Sequence, residues 1–179
     1  MSSLYTPNKQ GGIMVTSSLE KFFQKEATRF KLKVGVLLFL IQNDAILLLR
    51  RFQTGTDDGL YVVPMGGHDG NEPVTSSLIR EAKEEANLLL KPGDLTVCHV
   101  MHRLHHMTEE VSFEQIDIIF KAHQYEGTLR NNEPDHCDEL AFYPLNNLPE
   151  NTAPFIRHAI DCVARECFFS EFGWKEKLP

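Results

Sequence analysis

Residues 66–88 read GGHDGNEPVTSSLIREAKEEANL, a glycine-rich turn followed by a segment of helical periodicity that carries Glu72, Arg80, Glu81, Glu84 and Glu85. At about 100° per residue, Glu81, Glu84 and Glu85 share one narrow wedge, while Val74, Leu78, Ile79, Ala82 and Ala86 follow round the adjoining arc. One side of this helix can be buried, and its edge concentrates negative charge. A solvated acidic face usually mixes signs, with Lys or Arg four residues after each glutamate. Here Glu85 follows Glu81 at that spacing, and Leu88 follows Glu84. Such carboxylates repel one another unless a cation sits between them. Hard divalent cations such as Mg²⁺ take carboxylate and carbonyl oxygens and keep waters and substrate phosphates in their remaining positions. The wedge therefore reads as a metal site.

The preceding turn supports this. Gly66 and Gly67 let the backbone approach a ligand closely, as substrate-binding positions, and adopt conformations closed to other residues, and Asp69-Gly70-Asn71 is strong turn chemistry. Pro73 suits a first helical position. Asn87, which tolerates the left-handed conformation, terminates the helix before the Lys91-Pro92-Gly93 break.

These residues resemble the signature of the Nudix hydrolases, G-x5-E-x7-R-E-U-x-E-E-x-G-U with U a bulky aliphatic. The matching positions are Gly66, Glu72, Arg80, Glu81, Ala82, Glu84, Glu85 and Leu88. Ala82 is small for its aliphatic site and Asn87 replaces the last glycine, but neither change removes a charged group. The wider resemblance covers about residues 31–165.

Composition sets the frame. A chain of 179 residues with 42% hydrophobic content suffices for one domain with a real core. The formal charge of −7 argues against broad affinity for a nucleic-acid polymer or an anionic membrane. A small anionic substrate must then be met locally, by metal and a few basic side chains. No stretch approaches the roughly 20 apolar residues of a membrane span, and MSSLYTPNKQ has no signal-peptide pattern. Cys98, Cys137, Cys162 and Cys167 show no paired spacing. The expectation is a reduced, cytoplasmic protein.

Along the chain, residues 1–15 are expected to be mobile. Residues 16–30 form an N-terminal helix packed on the domain, whose Leu19, Phe22, Phe23, Ala27 and Phe30 belong to the core or to a homodimer surface. Residues 31–179 are read as one domain. Lys33–Ile41 is a buried strand, Gln42-Asn43-Asp44 a turn, and Ala45–Leu49 a returning strand ended by Arg50 and Arg51. Leu60–Pro64 leads into the glycine turn, Leu95–Arg103 alternates as a strand, and Val111–His123 is another. His99, His102, His105 and His106 fall in one neighbourhood, two on opposite strand faces and two in an apparent turn, an arrangement poor for zinc. Leu140–Phe142 is a further strand. A final helix over Phe155–Ala164 covers the sheet, and the aromatic stretch Phe168–Trp174 is packing.

Strands interleaved with helices imply an α/β class. The resemblance implies the Nudix-type α/β/α sandwich, with a mixed sheet and a catalytic loop-helix-loop. It further implies that Glu81, Glu84 and Glu85 hold Mg²⁺, or alternatively Mn²⁺, with the Met65 carbonyl and Glu133 completing the set. Glu139 is the second choice for that loop acid. Glu72 and Arg80 form an orienting ion pair, Arg51 contacts phosphate, and Asn151 is a candidate for base recognition. Glu81 is named first as general base and Glu133 second. The implied reaction is hydrolysis of a small nucleotide, a nucleoside diphosphate linked to another group. Positions 103–107 lack the proline of ADP-ribose hydrolases and the tyrosine of dinucleoside polyphosphate hydrolases. That favours a (deoxy)nucleoside triphosphate cleaved to monophosphate and pyrophosphate. The two other substrate classes, nucleotide sugars, and a non-catalytic nucleotide-binding regulator stand as alternatives.

Overall fold

The run KVGVLLF forms β1 (Lys33–Phe39), and the two faces of this strand organise the protein. Val36, Leu38 and Leu40 cluster with Leu78, Ala82 and Ala86 of α2 (Val74–Ala86). Leu37 and Phe39 cluster instead with Phe155, Ile156 and Ala159 of α3 (Pro154–Ala164). A strand covered on both faces needs an unbroken apolar run, and this one has it. The result is the expected α/β/α sandwich.

The computed structural model describes residues 17–106, 108 and 111–174. It divides into two units, residues 1–31 and 32–179, and each is described by itself. The tail expected to be mobile, residues 1–15, lies outside the described residues. In the first unit α1 spans Ser17–Ala27, shorter than the expected 16–30. Thr28 N–H and Arg29 N–H turn back to the carbonyls of Lys25 and Glu26, and Thr28 Oγ1 also donates to the Lys25 carbonyl. These tighter bonds use up the last carbonyls and end the helix before Phe30.

The second unit holds two sheets. One carries β5 (Met65–Gly67), β1, β7 (Ser112–Ala122), β6 (Leu95–His106) and β9 (Phe169–Phe172) in that order. β1 is antiparallel to β5 and parallel to β7, and β6 is antiparallel to β7 and parallel to β9, so the sheet is mixed as expected. The other places β3 (Ala45–Arg51) between β4 (Tyr61–Val62) and β8 (Cys137–Pro144), with β2 (Ile41–Gln42) also on β3. β2 and β3 are joined by Asn43 and Asp44, both at positive φ (50° and 59°), the turn that matches strand twist.

Several expectations shift. The strand expected over Lys33–Ile41 stops at Phe39, and Ile41 opens the separate β2. β6 runs on to His106, so His105 and His106 lie in a strand and not a turn. β8 begins at Cys137, which puts Glu139 inside the strand. The closing aromatic stretch contributes β9, an edge strand.

Candidate active site

Leu78, Ala82 and Ala86 are buried on α2 together with Ser77, which leaves Glu81, Glu84 and Glu85 along the helix edge as their spacing requires. The helix begins at Val74, with Pro73 extended just before it. It ends at Asn87, whose φ of 57° is the left-handed cap expected of a glycine. Asn87 N–H donates to the Lys83 carbonyl and Leu88 N–H to that of Ala82, while the Asn87 side chain donates to Thr128 O at 2.8 Å. Asn thus serves the glycine's conformational purpose and adds a tie to the loop after β7.

Arg80 stands at the centre of the acids. Its Nη1 donates to Glu81 Oε1 at 2.6 Å and to Glu84 Oε2 at 3.1 Å. Its Nη2 donates to the Gly67 carbonyl at 3.2 Å and to Glu72 Oε1 at 3.3 Å. The Glu72–Arg80 pair therefore joins turn to helix. Ser77 Oγ donates to Glu72 Oε1 at 2.8 Å, so its oxygen is the acceptor for His68 Nδ1, also at 2.8 Å. Ser77 foremost, and then Arg80, hold Glu72 below its ordinary carboxylate range.

The second source of negative charge comes from far along the chain. Arg130 N–H, Asn132 N–H and Asn132 Nδ2 donate to the carbonyls of Ala86, Glu85 and Lys83. The loop after β7 thereby satisfies the open carbonyls of Glu85 and Ala86 and adds a second bond at Lys83, and in doing so it presents Glu133 beside Glu81 and Glu85. Burial raises Glu85 well above its ordinary pKa, with Glu81 and Glu133 adding to the rise; the Met65 N–H, at 2.9 Å from Glu85 Oε2, opposes it. Burial likewise raises Glu81, against the pull of Arg80.

Gly66 and Gly67 differ in what they do. A β-carbon on Gly66 would overlap the Glu81 carboxylate, whereas one on Gly67 would meet nothing within 4 Å. Neither glycine has positive φ. The protein itself requires the missing β-carbon only at Gly66, and the left-handed conformation open to glycine is used at neither.

Among the described residues, no group of three or more His, Cys, Asp or Glu is drawn together tightly enough to hold a metal ion as it stands. The donors nonetheless suit a hard cation. Arg80 takes one oxygen of Glu81 and one of Glu84, Met65 takes one of Glu85, and the second oxygen of each makes no hydrogen bond among the described residues. Their mutual repulsion is what a divalent ion would relieve.

Arg51 ends β3 and lines a cavity of about 310 Å³ with Glu85, Glu133, His136 and Cys137. Its guanidinium donates to Thr56 O at 2.8 Å and Thr54 Oγ1 at 2.9 Å, which fixes it over the site. A second cavity, of about 230 Å³, shares Arg51 and reaches Met65, Gly66 and Gly67. Its floor is Arg103, Gln115 and Asp117, which the sequence reading passed over. Arg103 Nε donates to Asp117 Oδ2 at 2.6 Å, with both residues buried. The available signal was a charge interrupting the apolar run Ile116–Phe120.

Other candidates lie elsewhere. Asn151 donates to Gly59 O at 2.6 Å and lines a separate cleft with Arg50, Tyr61 and Tyr143. Glu139 accepts from the Tyr61 and Tyr143 hydroxyls. Those bonds, Tyr143 first, hold its pKa low. Of the four histidines on β6, His99 meets Cys167 O and Ser170 Oγ, His102 meets Glu114, His105 lies against Phe113, and His106 meets Gly173 O.

Residues 31–167 match the model of the NUDIX domain family. The 8-oxo-dGDP phosphatase NUDT18 of Mus musculus is 26% identical over 137 residues, which is 75% of this chain and 39% of that protein. NUDT18 of Homo sapiens is 27% identical over 135 residues, 74% and 38% respectively. The chain thus spans about two fifths of the length of the curated relatives it matches. Among solved structures, the MutT NUDIX hydrolase from Burkholderia pseudomallei is similar with a TM-score of 0.65 and 26% identity, over 74% of this chain and 98% of that one. The MutT protein from Methanosarcina mazei Go1 shares the fold, with a TM-score of 0.63 and 19% identity over 77% and 98%.

Proposed function

The chain belongs to the NUDIX family, and from that membership and its gathered carboxylates we propose that it is a divalent-metal-dependent pyrophosphohydrolase of nucleoside-diphosphate-linked substrates. The preferred substrate class is a (deoxy)nucleoside triphosphate, cleaved to monophosphate and pyrophosphate. The observation that carries this reading is the convergence of Glu81 and Glu85 with Glu133, an acid from a distant segment whose charge adds to the raised proton affinity of both.

Glu81, Glu84, Glu85 and Glu133 would hold Mg²⁺, or Mn²⁺, with the Met65 carbonyl as a further ligand. When bound, such an ion offsets the charge of the pyrophosphate and makes water more acidic. The protein supplies the rest. Arg51, fixed by its two threonines, meets the phosphate oxygens. Arg80 holds Glu81 through Oε1, and the Glu81 carboxylate so oriented takes the proton of the attacking water. As the new P–O bond forms, the bond to the pyrophosphate leaving group breaks. Raised proton affinity suits Glu81 to this task, since a general base works best with a pKa near the operating pH. Glu133 is the second candidate for that proton. The Glu72–Arg80 pair acts by position, holding turn and helix in register.

The relatives' printed activity toward 8-oxo-dGDP supports a nucleotide substrate and adds a purine diphosphate to those worth testing. No helix of the described residues is long and apolar enough to cross a membrane, and the four cysteines are free. Both facts support a cytoplasmic enzyme. The decisive experiment measures phosphate and pyrophosphate release from nucleoside triphosphates, 8-oxo-dGDP, ADP-ribose and dinucleoside polyphosphates, with Mg²⁺ and with chelator. Metal-dependent release from triphosphates is expected. Silence across the panel with nucleotide still bound would overturn the enzymatic reading in favour of a regulatory one.

A further inference from the structure

We propose that Arg103, Asp117 and Gln115 form a base-reading floor that selects a 6-oxopurine over adenine in the cavity beside Gly66 and Gly67. The inference rests on the hydrolase reading for the position of the phosphates, because Arg51 lines both this cavity and the one with Glu85 and Glu133. A nucleotide whose phosphates meet Arg51 can place its base here. At about 230 Å³, the cavity is smaller than the roughly 300–1,000 Å³ of a pocket for a whole drug-sized ligand. It suits one ring system.

The floor is built and oriented. Asp117 is fully buried and Arg103 is 4% exposed. Asp117 accepts from Arg103 Nε through one oxygen and from the Gln115 amide through the other. The carboxylate paired with the Arg103 guanidinium is an acceptor, so it turns the Gln115 nitrogen toward itself and the Gln115 carbonyl away. Gly35 leaves the room for this, since a β-carbon there would lie 2.5 Å from Asp117 Oδ1. The Arg103 guanidinium is braced over the Phe155 ring at 4.0 Å, and its Nη1 lies 3.4 Å from His105 Nδ1. Arg103 Nη2 makes no hydrogen bond among the described residues, yet none of their buried side-chain nitrogens is left without a partner. Nη2 therefore stays accessible on a residue that lines the cavity.

The cavity thus presents a guanidinium donor and a glutamine acceptor. Gln pairs with adenine by using its amide as donor and acceptor together, whereas Arg prefers the O6 and N7 acceptors of guanine. With its nitrogen turned to Asp117, Gln115 is left to accept from a ring N–H while Arg103 donates to the adjacent carbonyl. A 6-oxopurine offers that pair, O6 beside N1–H. Adenine offers an amine where the carbonyl should be. Phe113, with Lys33 Nζ 4.1 Å from its ring centre, and His105 line one side of the cavity.

The test is calorimetric binding of GMP, IMP, AMP and 2-aminopurine riboside monophosphate in chelator, which needs no turnover. GMP and IMP should bind more tightly than AMP and the 2-aminopurine nucleotide by on the order of tenfold, and Gln115→Met should remove most of that ratio with AMP little changed. Equal binding, preference for AMP, or an unchanged ratio in a folded Gln115→Met would overturn the proposal. The analogue series decides by itself if that variant does not fold. Metal-dependent turnover without base preference would defeat this inference alone. Base-selective binding without turnover would defeat the hydrolase reading and leave the floor standing.

Discussion

The Glu81 carboxylate occupies the space that a β-carbon on Gly66 would fill. The turn's first glycine is thus a steric requirement of the acid proposed as general base. Gly66→Ala should displace the flexible end of Glu81, with little cost in stability and a loss of turnover on the order of 10²-fold, as expected for a catalytic group moved by about 1 Å. Gly67→Ala, whose β-carbon meets no protein atom within 4 Å, should leave Glu81 in place and lose less kcat than Gly66→Ala. Comparing kcat and melting temperature of both variants checks the pair.

Glu81→Gln removes the proton acceptor while keeping an oxygen for Arg80. Turnover should fall by roughly 10²–10⁴-fold in a protein that remains folded, and Glu133→Gln should cost less. If steady-state kinetics give the opposite order, the base is Glu133.

Glu85 makes the metal-free protein sensitive to pH. Its folded pKa is raised above the ordinary 4.5, so the folded state binds this proton more tightly than the unfolded chain does. Stability then declines as pH rises from about 4.5 toward the raised value. Glu72, Asp138 and Glu139 have lowered values, and their contribution is lost only at more acidic pH. Metal-free Glu85→Gln should melt at a higher temperature than the parent at pH 7.5. Mg²⁺ should stabilise the parent, by roughly 2.7 kcal/mol at a hundred times its Kd, and should stabilise the variant less. Melting curves from pH 5 to 8 with and without Mg²⁺ measure all three effects.

Arg103 and Asp117 are a buried pair, and removing one partner leaves a buried charge. Asp117→Ala should destabilise by roughly 3–5 kcal/mol. Gly35→Ala should also destabilise, because its new methyl meets a carboxylate held on both sides. Denaturant titration checks both variants against Gly67→Ala.

Much of this was legible in the chain. The wedge of Glu81, Glu84 and Glu85, the left-handed role of Asn87 and the doubly covered strand at Lys33 all follow from local periodicity and turn chemistry, and they appear as expected. Element ends were less legible. α1 stops at Ala27 because Thr28 and Arg29 turn back on the preceding carbonyls, and β8 starts at Cys137 because its register against β3 extends to Arg51.

The sequence by itself determined the repeat of acids, the apolar faces and the family signature, because these depend on spacing along a single helix or strand. Beyond what the family resemblance implied for Glu133, tertiary structure alone decided which distant groups meet. It brought Glu133 to Glu81 and Glu85 through backbone bonds to the open end of α2, and it sent Asn151 to another cleft. It also joined Arg103, Gln115 and Asp117 across neighbouring strands, in the register Arg103 opposite Gln115. Contacts between segments far apart in the chain are set by strand register and helix docking, and no local pattern encodes them.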